Sequence, residues 1–169
     1  MKSTSHSHGV TLREDVRPGD AGDVRKIVES SGFFHDFEVE VAIELVEEAL
    51  ADGAESEYLF LFAERDGGTI GYACYGEIAC TQGSYDLYWI AVRQGHRSGG
   101  IGRRLLAVTE ERIAARGGRA VYVETSSQVT YEPTRRFYLK NGYEAEAVLK
   151  DFYAPGDDKV IFVKKLEPK

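Results

Sequence analysis

"RSGGIGRR", residues Arg97–Arg104, sets three glycines and three arginines into eight positions of a chain whose formal net charge is −7. Glycines give up backbone order, so a cluster of them is retained where the backbone itself must approach a partner. The arginines name the partner's charge: it is an anion. The stretch follows the apolar run "YWIAV" and opens an amphipathic run, Ile101–Arg116, that stops at Gly117-Gly118. Strand, glycine loop and helix therefore come in that order, and a helix N-terminus favours negative charge.

Three devices bind anions this way. The P-loop needs GxxxxGK[ST]; Gly95 and Gly100 have the spacing, but Ile101 and Gly102 stand where Lys and Ser/Thr belong. The dinucleotide fingerprint GxGxxG finds Gly100 and Gly102, with Leu105 at its third glycine and Glu124 at about the acidic position. It stays a minor alternative, because these glycines follow hairpins and do not open a βαβ unit. The third device, Arg/Gln-x-x-Gly-x-Gly/Ala, is met by Arg97-Ser98-Gly99-Gly100-Ile101-Gly102.

Outward from the loop, "VTLREDV" (Val10–Val16) alternates as a first strand. A helix follows with Asp20 as N-cap, the stripe Val24, Ile27 and Val28, and a stop at Gly32. Residues Glu38–Ala51 form a second helix with Val39, Ala42, Ile43, Val46 and Leu50 at helical spacing. Three strands come next, joined by tight hairpins at Asp66-Gly67-Gly68 and Gln82-Gly83. After the loop helix come the strand "RAVYVETSS", a short helix in "YEPTRRFYLKNGY", and two strands around Pro155–Asp158. The order is β-α-α-β-β-β-α-β-α-β-β, an α/β (α+β) mixed sheet covered by helices.

Composition bounds the rest. With 169 residues and 43% hydrophobic content, a single domain over 10–169 is expected, after a loose tail over 1–9. His6 and His8 in that tail are read as part of a floppy terminus and not as metal ligands. No apolar run reaches bilayer length and no signal sequence opens the chain, so a cytoplasmic protein with no membrane partner is expected. Cys74 and Cys80 are read as two partly buried free thiols on one face of one strand, about 20 Å apart and beyond disulfide reach. No metal-ligand spacing is present. The acidic balance argues against nucleic acid. From Arg93 to Arg119 there are seven arginines against two glutamates, and from Asp36 to Glu57 nine acids and no base.

Motif, element order and the later "RRFYLKNGY" together resemble the GNAT superfamily of acyl-CoA-dependent N-acyltransferases, over nearly the whole chain from Val10 to Leu166. Within it the look is nearest to the ribosomal-protein alanine and peptide N-terminal acetyltransferases, through the final hairpin "LKDFYAPGDDKVIFV". The resemblance implies a mostly antiparallel sheet of about seven strands with about four helices. It implies acetyl-CoA as co-substrate, its pyrophosphate cradled by the amides of Arg97, Ser98, Gly99, Gly100, Ile101 and Gly102, with Arg103 and Arg104 near the phosphates. It also implies that Ile90, Ala91 and Val92 pair with the pantetheine arm.

Transfer to an amine needs a neutral amine, a donor to the carbonyl oxygen and a proton for the thiolate. By resemblance the donor is the Val92 N–H and the acid is Tyr138, with Phe137 taken as the core aromatic beside it. Two carboxylates compete for the base by resemblance: Glu124, favoured by the branch resemblance, and Asp86, six residues before Val92, where histone-type acetyltransferases carry their glutamate. The resemblance also implies that the first two helices and the last hairpin frame the acceptor cleft; there Phe33, Phe34, Phe152 and Tyr153, with the acidic second helix, favour a cationic small-molecule amine or a peptide N-terminus. The oligomeric state is left open, a homodimer being one alternative. A domain that binds acyl-CoA to regulate a partner, without catalysis, is the alternative function.

Overall fold

The computed structural model describes residues 9–32 and 34–167. His6, His8 and Phe33 lie outside the described residues. The elements are β1 (Thr11–Arg13), α1 (Asp20–Glu29), α2 (Asp36–Asp52), β2 (Leu59–Arg65), β3 (Gly68–Glu77), β4 (Ser84–Val92), α3 (Ile101–Ala115), β5 (Ala120–Ser126), α4 (Glu132–Lys140), β6 (Glu144–Ala154) and β7 (Asp157–Lys165). This is the expected order. The seven strands hydrogen-bond in the order β1-β2-β3-β4-β5-β7-β6. β4 and β5 are parallel, whereas β1–β2, β5–β7 and β6–β7 are antiparallel. Among the described residues no helix is long and apolar enough to cross a membrane.

The chain divides into two compact units, and β3, β4 and α3 run through both. The first comprises residues up to Ala73 with Ile90–Leu105. Here α1 packs on α2, burying Val24, Ile27 and Val28 from one and Val39, Ala42, Ile43 and Val46 from the other. The first strand is shorter than the alternation suggested. Arg13 is the reason: its guanidinium grips Asp20 at 2.7 and 2.9 Å and Glu64 at 2.8 Å, and also donates to the Asp15 carbonyl, turning the chain after three residues. Asp20 is accordingly the first helical residue and not the N-cap. Its carboxylate accepts the Arg17 N–H at 2.7 Å as well.

The second unit holds Cys74–Trp89 with the chain from Leu106 onward. Two expectations change here. The β3–β4 connection is a six-residue loop, Ile78–Gly83, and not a tight hairpin. Cys80 sits in that loop at φ +63, exposed, while Cys74 is buried in β3. The Ile78 N–H donates to the Ser84 carbonyl at 2.8 Å, so pairing continues past Glu77 while the chain between leaves the ladder. α4 starts with Pro133 in its first turn and ends at Gly142, φ +86, as Asn141-Gly142 predicted.

Candidate active site

The anion loop belongs to the first unit. β4 is anchored at its end: the Arg93 N–H donates to the Ile70 carbonyl at 2.8 Å, and the Gln94 N–H to Ser30 Oγ at 3.0 Å. A 3-10 turn covers Arg97–Gly99, and Gly100 reverses into α3 at φ +70, a conformation glycine adopts without strain. The first bond of α3 runs from the Arg104 N–H to the Gly100 carbonyl at 3.0 Å. The N–H groups of Ile101, Gly102 and Arg103 precede that bond, so they have no intrahelical acceptor. Ile101 is buried and pins the loop, whereas Ser98, Gly99, Gly100 and Arg103 are exposed. Ile90 and Ala91 are half-buried and Val92 is buried.

Two arginines of the cluster carry structural bonds. Arg97 Nε donates to the Val92 carbonyl at 3.2 Å, closing the loop back on its strand, and Arg104 donates to the Val10 carbonyl at 2.7 Å. A different arginine, which the sequence did not single out, stands at the loop. The terminal nitrogen of Arg65, from β2, lies 4.0 Å from where a β-carbon on Gly99 would be. Its Nε is buried without a hydrogen-bond partner among the described residues. Gly71 was missed too: a β-carbon there would meet the Ala91 carbonyl at 3.0 Å and Leu105 at 3.2 Å. Open amides ahead of α3 and an arginine terminal nitrogen near Gly99 are the kinds of donor that suit a phosphate, and the pyrophosphate of coenzyme A is compatible with them.

Tyr138 lies in the second unit and is 3% exposed. Its ring packs against Phe137 and Tyr143, both with centroids at 5.4 Å, and Phe162 at 6.0 Å. Burial pushes its phenol above the ordinary value. Phe137, expected as the core aromatic, is only half-buried. Beside it Tyr143 donates to Glu110 at 3.0 Å, and Lys164 donates to the other Glu110 oxygen at 2.6 Å.

The two candidate bases share one face. The β4–β5 register covers Ser84–Asp86 against Ala120–Tyr122, and Glu124 follows Tyr122 by two. Side chains two apart share a face, so Asp86 and Glu124 do. Burial first, and the Glu124 charge second, push the Asp86 carboxyl above the usual carboxylate range, while Lys159 pulls it down. Lys159 Nζ is 2.7 Å from Glu124 and 3.7 Å from the centroid of the Phe152 ring, with Tyr153 at 5.7 Å. Phe152 and Tyr153 are exposed on their outer sides, and Phe34 is half-buried. Nothing in the local pattern "DDKVIFV" separates Lys159 from any strand lysine. Among the described residues no group of three or more His, Cys, Asp or Glu is arranged to hold a metal ion.

A mixed, mostly antiparallel seven-stranded sheet, with a glycine loop leading from β4 into α3, is the α/β arrangement of the GNAT acetyltransferases. Residues 56–145 match the acetyltransferase (GNAT) domain, and the chain belongs to that family. A Desulfovibrio desulfuricans crystal structure assigned to GNAT acetyltransferases is 50% identical, with TM-score 0.91, covering 93% of this chain and 99% of that one. An uncharacterised N-acetyltransferase of Methanocaldococcus jannaschii is 30% identical over 106 residues, 63% of this chain and 65% of that relative's length. The ribosomal-protein-S18-alanine N-acetyltransferase of Escherichia coli shares the fold at 16% identity, TM-score 0.73, covering 95% and 96%. So does the PaiA N-acetyltransferase of Thermoplasma acidophilum, solved with coenzyme A, at 20% identity and TM-score 0.72, covering 94% and 99%.

Proposed function

We propose that the protein is a cytoplasmic N-acetyltransferase that moves an acetyl group from acetyl-CoA to a primary amine by direct attack. The observation that carries this reading is the loop: N–H groups without intrahelical acceptors at Ile101–Arg103, with the terminal nitrogen of Arg65 near Gly99. Those amides and the loop from Arg97 hold the pyrophosphate, and Ile90, Ala91 and Val92 hold the pantetheine arm. Bound acetyl-CoA supplies the activated acetyl thioester. The Val92 N–H donates to the carbonyl oxygen as charge develops there. Glu124, with Asp86 as its rival, takes a proton from the acceptor ammonium, whose ordinary pKa is about 10. Tyr138 supplies the proton that the departing thiolate needs. The acceptor is a small cationic amine or a peptide N-terminus, with Phe152 and Tyr153 of the second unit as aromatic groups for it to meet.

The test joins binding to turnover. Acetyl-CoA should raise the melting temperature, because it binds only the folded state. Gly102→Glu, which sets an anion against the pyrophosphate, should abolish that rise. A panel of amines and peptides is then screened for thiol release from acetyl-CoA. Binding retained with no thiol release across the panel would replace the enzyme by a regulatory acyl-CoA-binding domain.

A further inference from the structure

Lys159 is a buried cation among groups that the proposed reaction uses. Its side chain is 11% exposed, whereas that of its partner Glu124 is 48% exposed. A bulge in β6 puts it under cover. Leu149 pairs with Lys159, and the next aligned pair is Ala154 with Asp157, so β6 spends five residues where β7 spends two. Asp151, in that excess, takes φ +50, and its N–H donates to the Asp158 carboxylate at 2.9 Å. Lys150 bonds the same carboxylate at 2.7 Å, which ties the bulge down. Phe152 and Tyr153 are thereby turned over the Lys159 ammonium, with their rings at right angles to each other.

Two carboxylates on one sheet face repel each other, and each raises the other's hold on a proton. A buried ammonium paired to one of them offsets that repulsion. It also removes rotamer freedom from the glutamate it binds, and the ring beneath it adds an attraction that strengthens as water is excluded. The registers place further ionisable groups on this face: the phenols Tyr88 on β4 and Tyr122 on β5, Lys165 opposite Ala120, Glu144 opposite Val163, and Asp157, which accepts the Ser126 hydroxyl at 2.5 Å. Arg135 of α4 is committed to the Ser126 and Gln128 carbonyls at 2.7 and 2.9 Å. Lys159 is thus the cation bonded within the pair.

We propose that Lys159 is the positioning residue of the acceptor side: it holds the Glu124 carboxylate in place and offsets the mutual repulsion of Glu124 and Asp86, so that one of them is free to take the amine's proton. Its part in the reaction rests on the carboxylate-base reading above, and the experiment separates the two.

Lys159→Met keeps a long apolar stem against Phe152 and removes only the charge; Lys159→Arg keeps the charge. Thermal unfolding and the acetyl-CoA-induced shift confirm that each variant is folded. The carboxyl titration of Asp86 is read by carbon-13 NMR, and kcat/KM is read against pH. In Lys159→Met the Asp86 titration should rise, because the cation that pulls it down is gone. The acid limb of kcat/KM should move up with it, KM for acetyl-CoA should stay unchanged, and Lys159→Arg should track the wild type. An Asp86 titration that stays put in folded Lys159→Met overturns the proposal. A titration that moves while the acid limb does not leaves Lys159 in its electrostatic role and removes the carboxylates as the base. If Lys159→Met proves unfolded, Lys159→Gln carries the test: loss of the charge should raise the same titration, and no change overturns the role.

Discussion

A β-carbon on Gly71 would stand 3.0 Å from the carbonyl oxygen of Ala91. The glycine on β3 is therefore what lets the end of β4 and the start of α3 lie as close as they do. Gly71→Val should cost about 1–3 kcal/mol by overpacking. Because the displaced atoms belong to Ala91, Val92 and Leu105, acetyl-CoA should also raise the melting temperature less than in the wild type. Calorimetry with and without acetyl-CoA measures both. A variant with wild-type stability and wild-type shift would mean that the strand yields freely here.

Arg65 should act through phosphate. A charge-assisted hydrogen bond is worth about 1.5–3 kcal/mol, so Arg65→Met should weaken coenzyme A binding roughly tenfold or more. The loss should shrink as salt is added and should be smaller for Arg65→Lys. Titration calorimetry decides; equal affinity in Arg65→Met returns the residue to a packing role.

Tyr138→Phe removes one hydroxyl from an aromatic cluster and leaves the rings packed. Acetyl-CoA binding should stay, and kcat should fall by about 10²-fold or more if the phenol is the acid. The sign of the pH effect follows from burial. A phenol raised above its ordinary value keeps its proton to higher pH, so the wild-type profile should show no alkaline fall from Tyr138 up to about pH 10. The deficit of the variant should narrow as pH rises. Wild-type turnover, with chemistry rate-limiting, would leave Tyr138 as core alone.

Glu124→Gln and Asp86→Asn rank the bases. Glu124→Gln keeps shape and hydrogen-bonding capacity, so its loss should be greatest near neutral pH, where the amine is charged, and least near pH 9 to 10. Asp86→Asn, which removes a neighbour of the base and not the base, should have only a small effect on the rate. The reverse ranking hands the role to Asp86, whose carboxyl already lies above the usual range. Two mild effects would assign proton removal to bulk water.

The thiols offer a check on the fold itself. Cys80 is exposed in the β3–β4 loop; Cys74 is buried, and its thiol is pushed up by that burial. A disulfide reagent should label one thiol rapidly in the native protein and the second only on unfolding. Rapid labelling of both would contradict the position of Cys74.

The element order was legible along the chain because its signals are local. Gly117-Gly118 ends α3, Asn141-Gly142 ends α4, and Val39, Ala42, Ile43 and Val46 keep helical spacing on α2. The motif Arg97–Gly102 was legible for the same reason, since a loop that opens a helix needs only its own glycines and the residues either side. Arg13 already escapes such a reading: its bond to Glu64 spans 51 positions, and it cuts short a strand that alternation alone would extend. Tertiary structure decided the neighbourhood of the carboxylates. Glu124 and Lys159 are 35 positions apart, and they meet only because β5 and β7 pair in one register. The Phe152 ring lies on that lysine only because β6 carries a bulge that no pattern in "LKDFYAPGDDK" announces. Burial of Tyr138 in place of Phe137 likewise depends on which side of α4 meets Tyr143 and Phe162. Local sequence sets where chain direction changes, but charge pairs and ring contacts arise where separate strands are brought into register, and that register is a property of the folded sheet.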